Sequence, residues 1–175
     1  ITPRVRETAK FLWIVYVGIT AVEAIALMVA GMGVFDAICH SLTTMPTGGF
    51  STKNANIGHY DSSLIHYIII FFMFVAGVNF SLHFRAINGN VKSYVQDKEF
   101  LVYLGGMVIV TFLIFLAISL QGDSFSHLNF RESLFTTISI LSTTGYGSAD
   151  YELWPVFVQG VLLTLMFVGG MGGST

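Results

Sequence analysis

The sequence predicts an all-α membrane protein made of two parallel repeats, each running span, half-helix, glycine turn, span. Three observations lead there. Of the 175 residues 54% are hydrophobic and only 10% charged, at a mean hydropathy of +0.73, whereas soluble domains carry about 25% charged residues. Four apolar stretches approach the roughly 20 residues that a spanning helix needs. The two halves also lie on one another at a constant offset, an internal repeat of the kind to seek before any finer feature.

The first span is expected from Phe11 to Gly31, after a polar lead from Thr2 to Lys10. That apolar run is too long for the h-region of a secretion signal. The remaining spans are expected over Leu64 to Phe84, Phe100 to Leu120, and Trp154 to the end. Between the members of each pair lies a shorter semi-apolar stretch, Val34 to Met45 and Glu132 to Leu141, followed at once by threonine and glycine. Each reads as a re-entrant half-helix. Non-helical backbone at membrane depth is tolerated only where protein buries it or it lines a water-filled cavity, so a segment that enters and turns back at glycine suggests a pore.

An offset of 96 pairs Asp36 with Glu132, Ser41 with Thr137, Thr47 with Thr143, Gly49 with Gly145, and Phe50 with Tyr146. In the second spans, Phe74 to Gly77 matches Phe167 to Gly170 and Ser81 matches Ser174 at an offset of 93. Residues 1–88 and 89–175 are thus expected to form one repeat each, the second cut short in its last span. Each unit crosses an even number of times, so both insert in the same sense, unlike carriers built from inverted halves. The chain starts at Ile1 and stops at Gly172-Gly173-Ser174-Thr175 with no charged flank, and is expected to be a piece of a longer protein.

Lys and Arg concentrate on the cytoplasmic side of spans. Arg4, Arg6, Lys10, Arg85, Lys92 and Lys98 fall on one side and only Lys53 and Arg131 on the other, so the turns are expected to face outward. There Asp36, Asp61, Asp123, Glu132, Asp150 and Glu152 outnumber the two bases, and an acidic mouth concentrates cations. A net charge of −2 with eight basic residues sets aside nucleic acid as a partner. Cys39 is the only cysteine, which leaves neither a disulfide nor a thiolate metal site within the chain.

The turns Thr47-Gly48-Gly49-Phe50-Ser51 and Thr143-Thr144-Gly145-Tyr146-Gly147 carry the chemistry. A cation crosses a hydrocarbon layer when oxygens replace its hydration shell, and backbone carbonyls do this where glycine lets successive peptides point inward. Thr47 and Thr143 can add hydroxyls to the lowest ring of ligands, while Phe50 and Tyr146 can wedge each turn against its half-helix. Each half-helix points its negative C-terminal end at the ion path. A generic glycine loop is the plain alternative for either turn alone; two copies at matching positions disfavour it. For Asp36 and Glu132, at the other ends of the half-helices, a plain N-cap is preferred over direct cation capture.

Segments 44–53 (TMPTGGFSTK), 141–148 (LSTTGYGS) and 167–175 (FVGGMGGST) resemble the Trk/Ktr/HKT potassium transporters, most nearly their bacterial Trk branch. That family carries four unequal span, half-helix, span units in one polypeptide, each with one filter glycine; the resemblance covers the whole chain and places it on the two middle units, half of a pseudo-four-fold, potassium-channel-like pore. It implies potassium as the transported ion with no organic cofactor, a filter at Thr47, Gly48, Gly49, Phe50, Thr143, Thr144, Gly145 and Tyr146, and a bacterial inner-membrane location. Glycine rather than serine at Gly49 and Gly145 goes in that family with potassium preference. Gly169, Gly170, Gly172 and Gly173 resemble the start of the broken helix that gates its filter. The resemblance further implies a homodimer and a TrkA-like cytoplasmic nucleotide-binding regulatory subunit; the basic inner segments meet such a partner or only obey the charge rule.

Elsewhere, Glu23 inside the first span is read as a protonated or hydrogen-bonded helix contact in preference to an ion relay. Asn79 and His83, four residues apart, mark either a pore-facing stripe or an interhelical hydrogen bond. His40, His59, His66 and His127 show no metal-ligand spacing and are assigned to interfaces or loops. An intramembrane hydrolase lacks its G-x-S-x-G elbow. A dimeric two-pore-domain-type channel and a non-conducting scaffold remain as alternatives to a channel-like or symporting potassium pathway.

Overall fold

The computed structural model describes residues 3–122 and 124–175; Asp123, and the side chains of the first eight residues with Arg4 and Arg6 among them, lie outside the described part. Among the described residues all regular structure is helical. Helix α1 (Pro3–Val29) precedes α2 (Val34–Thr44), and a loop with one 3₁₀ turn at Asn56–His59 leads to α3 (Ser63–Ala76) and α4 (Phe80–Ile87). A short α5 (Lys92–Gln96) joins these to α6 (Lys98–Gln121), α7 (His127–Leu141), a 3₁₀ turn at Tyr151–Leu153, and α8 (Val156–Leu165).

Two helices are long and apolar enough to cross a bilayer unbroken, over Ala9–Val29 and Lys98–Gln121. At about 1.5 Å per residue the 24 residues of α6 reach past a hydrocarbon core of about 30 Å. Their outward faces carry Trp13, Val22, Ile25, Ile109 and Phe112, all exposed and apolar. These two match the expected first and third spans.

The expected second span over Leu64 to Phe84 is not one helix. It stops at Ala76 and restarts at Phe80 with its axis turned by 99°. Two side chains make the break possible. Asn79 caps α4 by accepting from the Ser81 N–H at 2.8 Å, and His83 Nε2 lies 2.9 Å from the Val75 carbonyl, which also accepts from the Val78 N–H at 3.2 Å. The histidine, one turn into the next helix, thus ties α4 back to the last turn of α3. The stretch from Trp154 onward is likewise no full span, because α8 ends at Leu165 and turns follow to Thr175. Both breaks fall within or next to the segments that align at an offset of 93.

The half-helices confirm the shorter segments with shifted ends. α2 starts at Val34 as expected; α7 starts at His127, five residues ahead of Glu132. Its cap is Ser126, whose hydroxyl accepts from the Asn129 N–H, while α2 is capped by Gly33 with no side-chain bond. Neither Asp36 nor Glu132 is therefore an N-cap. Asp36 stands in the first turn of α2 and Glu132 well inside α7. His127, Asn129 and Arg131 make the first turns of α7 polar and so hid them from a hydropathy reading.

One apolar cluster joins the two repeats: Leu27 of α1, Ala37 of α2, Ile65, Ile69 and Met73 of α3, and Phe135 and Ile138 of α7. A second holds Tyr103 and Ile114 of α6 against Leu141 of α7 and Val158 and Leu162 of α8. Helices α2 and α7 thus pack against the longer apolar helices, and a turn follows the C-terminal end of each.

Candidate functional site: two glycine turns and a broken helix

The turns after α2 and α7 share one backbone path. Thr47 and Gly49 have φ of 53° and 64°, and Thr143 and Gly145, each 96 residues on, have 62° and 82°. Gly48 and Thr144, between them, lie outside the left-handed region. Glycine accepts such a φ freely, but for a β-branched threonine it is an outlier that the surroundings must impose. The same strained pattern has been imposed twice.

Equivalent hydrogen bonds impose it. The Gly49 N–H donates to the Thr43 carbonyl at 3.2 Å and the Gly145 N–H to the Ser139 carbonyl at 3.0 Å. The Thr47 N–H donates to Thr44 at 2.9 Å and the Thr143 N–H to Ile140 at 3.0 Å. The hydroxyls of Thr43 and Ser139 donate to the carbonyls of Phe50 and Tyr146, both at 2.7 Å. Each half-helix ends, in effect, by folding its turn back onto its own last carbonyls and hydroxyls. That engages the Phe50 and Tyr146 carbonyls from behind.

The aromatic residues do not behave as expected. Tyr146 is buried, but against the other repeat: its hydroxyl lies 2.6 Å from Thr43 Oγ1 and 3.0 Å from the His40 carbonyl, both on α2. Phe50 is 76% exposed, its ring lying beside its own turn, where a Cβ on Gly48 would stand 3.4 Å from Phe50 Cδ2. The remaining candidates fall together, with Thr47, Gly48 and Gly49 half-buried, Thr144 buried, and Thr143 and Gly145 open on one side. A Cβ placed on Gly49 would collide with the Thr144 carbonyl oxygen, so the two turns approach backbone to backbone.

His40, assigned from sequence to an interface or loop, is buried on α2 and supports the first turn. Its Nε2 lies 2.9 Å from the Ser51 hydroxyl and its Nδ1 2.7 Å from the Asp36 carbonyl. No spacing rule marks a lone histidine of this kind. Asp36 braces the same loop from outside, accepting from the Thr52 hydroxyl at 2.6 Å and pairing with Lys53 at 3.0 Å. Those partners, the Thr52 hydroxyl first, hold its carboxyl down at about 2. Glu132 has no such brace, and burial raises its carboxyl above the ordinary range despite Arg131 beside it. Glu23 is fully buried on α1 and neither of its oxygens closes a hydrogen bond within the described residues.

Asn79 and His83, at the cap and in the second turn of α4, both bond to other segments: Asn79 Nδ2 to the Gly172 carbonyl at 2.8 Å, and His83 to the Val75 carbonyl and, at 2.7 Å, the Tyr94 hydroxyl of α5. His66 and His127 reach the Tyr60 carbonyl and the Tyr67 hydroxyl.

The glycine-rich end of the chain runs under the turns. The Thr175 carbonyl is 3.4 Å from the Thr47 hydroxyl, and a Cβ on Gly169 would sit 3.7 Å from Thr143 Cγ2. This segment pairs with the break of the first repeat. The Met171 N–H donates to the Gly77 carbonyl at 3.0 Å, the Phe80 N–H to Gly173 at 3.1 Å, and the Thr175 N–H to Ala76 at 3.3 Å. Two irregular segments thus pair with one another.

Duplicated half-helices, each ending in a strained glycine turn and set among apolar spans, define a membrane protein of the transport class. The chain belongs to the TrkH family of cation transport proteins, whose pattern it matches over residues 1–175. It is 38% identical over 177 residues to the Trk system potassium uptake protein TrkH of Salmonella typhimurium, and 40% identical over 179 residues to that of Vibrio parahaemolyticus. Each match takes in 99% of this chain. The crystal structure of the potassium transporter TrkH from Vibrio parahaemolyticus superposes with a TM-score of 0.94 at 38% identity, over 99% of this chain and 38% of that one. The chain spans about 36% of the Salmonella relative and 37% of the Vibrio relative.

Proposed function

We propose that the chain forms two adjacent units of a potassium-uptake pore of the Trk type. Residues 1–88 and 89–175 make one unit each. The filter is made by the backbone at Thr47, Gly48 and Gly49 and at Thr143, Thr144 and Gly145. The observation that carries this reading is the pair of left-handed residues at Thr47 and Gly49 repeated at Thr143 and Gly145. Alternating the hand of φ turns successive carbonyls to one side, the arrangement that lets backbone oxygens replace the water of a dehydrated cation. Phe50 and Tyr146 fix the upper end of each turn, since their carbonyls are engaged by Thr43 and Ser139. The Trk names of the relatives support potassium as the ion. Other units of the transporter complete the ring.

The broken segment with Gly169, Gly170, Gly172 and Gly173 acts as the gate beneath the filter. The turns face outward from a bacterial inner membrane, following the basic residues on the opposite side. A homodimer and a TrkA-like nucleotide-binding subunit on the cytoplasmic side complete the system. Ion flux in proteoliposomes holding the complete transporter tests the filter. Gly49→Ser and Gly145→Ser are expected to lower potassium over sodium preference, and an unchanged preference in both overturns the assignment.

A further inference from the structure

Gly172 is gripped from two sides by side chains of other elements. Its N–H donates to Glu99 Oε1, in the first turn of α6, at 2.5 Å; its carbonyl accepts from Asn79 Nδ2, at the break of the first repeat, at 2.8 Å. Both grips act on the main chain. We infer that Glu99 and Asn79 are positioning residues that clamp Gly172 and thereby hold segment 169–175 under the two turns. The inference rests on the pore reading above, in which that segment obstructs the path.

The chemistry of each partner suits a clamp. A hydrogen bond from an N–H to a carboxylate is stronger than one to a neutral acceptor. Asn79 has two separable tasks: its Oδ1 caps α4 by accepting from Ser81, while its Nδ2 holds Gly172. Glycine at 172 keeps the approach open, because a Cβ there would already stand 3.4 Å from Glu99 Oε1. On the other flank lies a cavity of about 330 Å³, lined among others by Glu99, Val102, Gly106, Val168 and Met171. Glu99 thus stands at both the grip and the cavity beside the segment.

The test uses the complete transporter in proteoliposomes. Glu99→Ala removes one grip, and Asn79→Asp removes the other while keeping the cap on α4. Each is expected to raise resting potassium flux about tenfold, the loss of one hydrogen bond to a charged group or its equivalent, with potassium over sodium preference unchanged. Glu99→Gln keeps a neutral acceptor and is expected to stay within about threefold of wild type. A carboxylate serving only the α6 helix end predicts instead that Gln and Ala behave alike and that neither opens the pore. A second readout is independent of conduction. In a Cys39→Ser background, Ser174→Cys is expected to react faster with a membrane-impermeant thiol reagent from the cytoplasmic side once Glu99 is alanine. Unchanged labelling and flux in folded Glu99→Ala and Asn79→Asp proteins overturn the clamp. Faster labelling in a protein whose wild type passes no potassium overturns the pore reading and leaves the clamp standing.

Discussion

The two glycine turns are the same backbone in different surroundings. The first is enclosed: its Gly49 abuts the Thr144 carbonyl, His40 and Ser51 tie it to α2, and Asp36 braces it through Thr52 and Lys53. The second is open at Gly145, where an added Cβ would meet nothing within 4 Å, and Glu132 lacks the brace. It is secured instead by one long reach, Tyr146 into the neighbouring half-helix. Matching conformations are therefore held by unlike means, one by local bracing and the other by docking on its neighbour.

The comparison breaks most easily at the glycines. A side chain in the left-handed region costs about 1–2 kcal/mol at either position, but only at Gly49 does it also strike backbone. Gly49→Ala is expected to cut potassium uptake on the order of a hundredfold and Gly145→Ala on the order of tenfold, as fold-losses that add the collision to the strain. Equal losses in the flux assay would show that the enclosure does not matter.

The docking arm comes next. Tyr146→Phe leaves the ring in place and strips the hydroxyl from Thr43 and the His40 carbonyl, a loss of about 1–3 kcal/mol for buried groups left unpaired. Thermal unfolding in detergent measures it. Phe50→Tyr, on an exposed ring, is expected to stay within about 0.5 kcal/mol. A larger effect at Phe50 than at Tyr146 would reverse the assignment of which turn leans on its neighbour.

The smallest effect is electrostatic and concerns the brace. The Asp36 carboxyl is held at about 2, below its ordinary value of 3.8. A lowered value means that its contribution is complete above the ordinary carboxylate range and fades as pH falls through about 2. Thr52→Val removes the leading cause and Lys53→Met a lesser one, so both shift the loss toward higher pH, Thr52→Val further. Carboxyl titration by carbon NMR reads the shift directly, and an unmoved Asp36 in Thr52→Val would remove the brace from the account.

Much of this arrangement was legible in the residues. The offset of 96 pointed to two short helices and to two turns of matching backbone, because composition and glycine placement repeat with it, although α7 starts five residues earlier than expected. Hydropathy could not show that Leu64 to Phe84 breaks, since the break lies within an apolar run and is paid in hydrogen bonds from Asn79, His83 and a distant segment. Nor could it show where Tyr146 goes, because a side chain that crosses between repeats leaves no periodic trace. Thr47 and Thr143 were read as hydroxyl ligands, and nothing in a threonine announces a left-handed backbone. That strain is set by carbonyls and hydroxyls of the half-helix, which only the folded chain brings to bear.

The mutual pairing of the two broken segments has a consequence for how the protein is made. Until the downstream glycines emerge, the Gly77 carbonyl and the Phe80 N–H of the first repeat have no partner from that segment, and the Gly172 carbonyl that takes Asn79 lies 93 residues later in the chain. Unpaired backbone groups are costly in lipid. The hydrogen bonds that complete the break at residues 77–79 therefore form only after residues 171–175 have been synthesised.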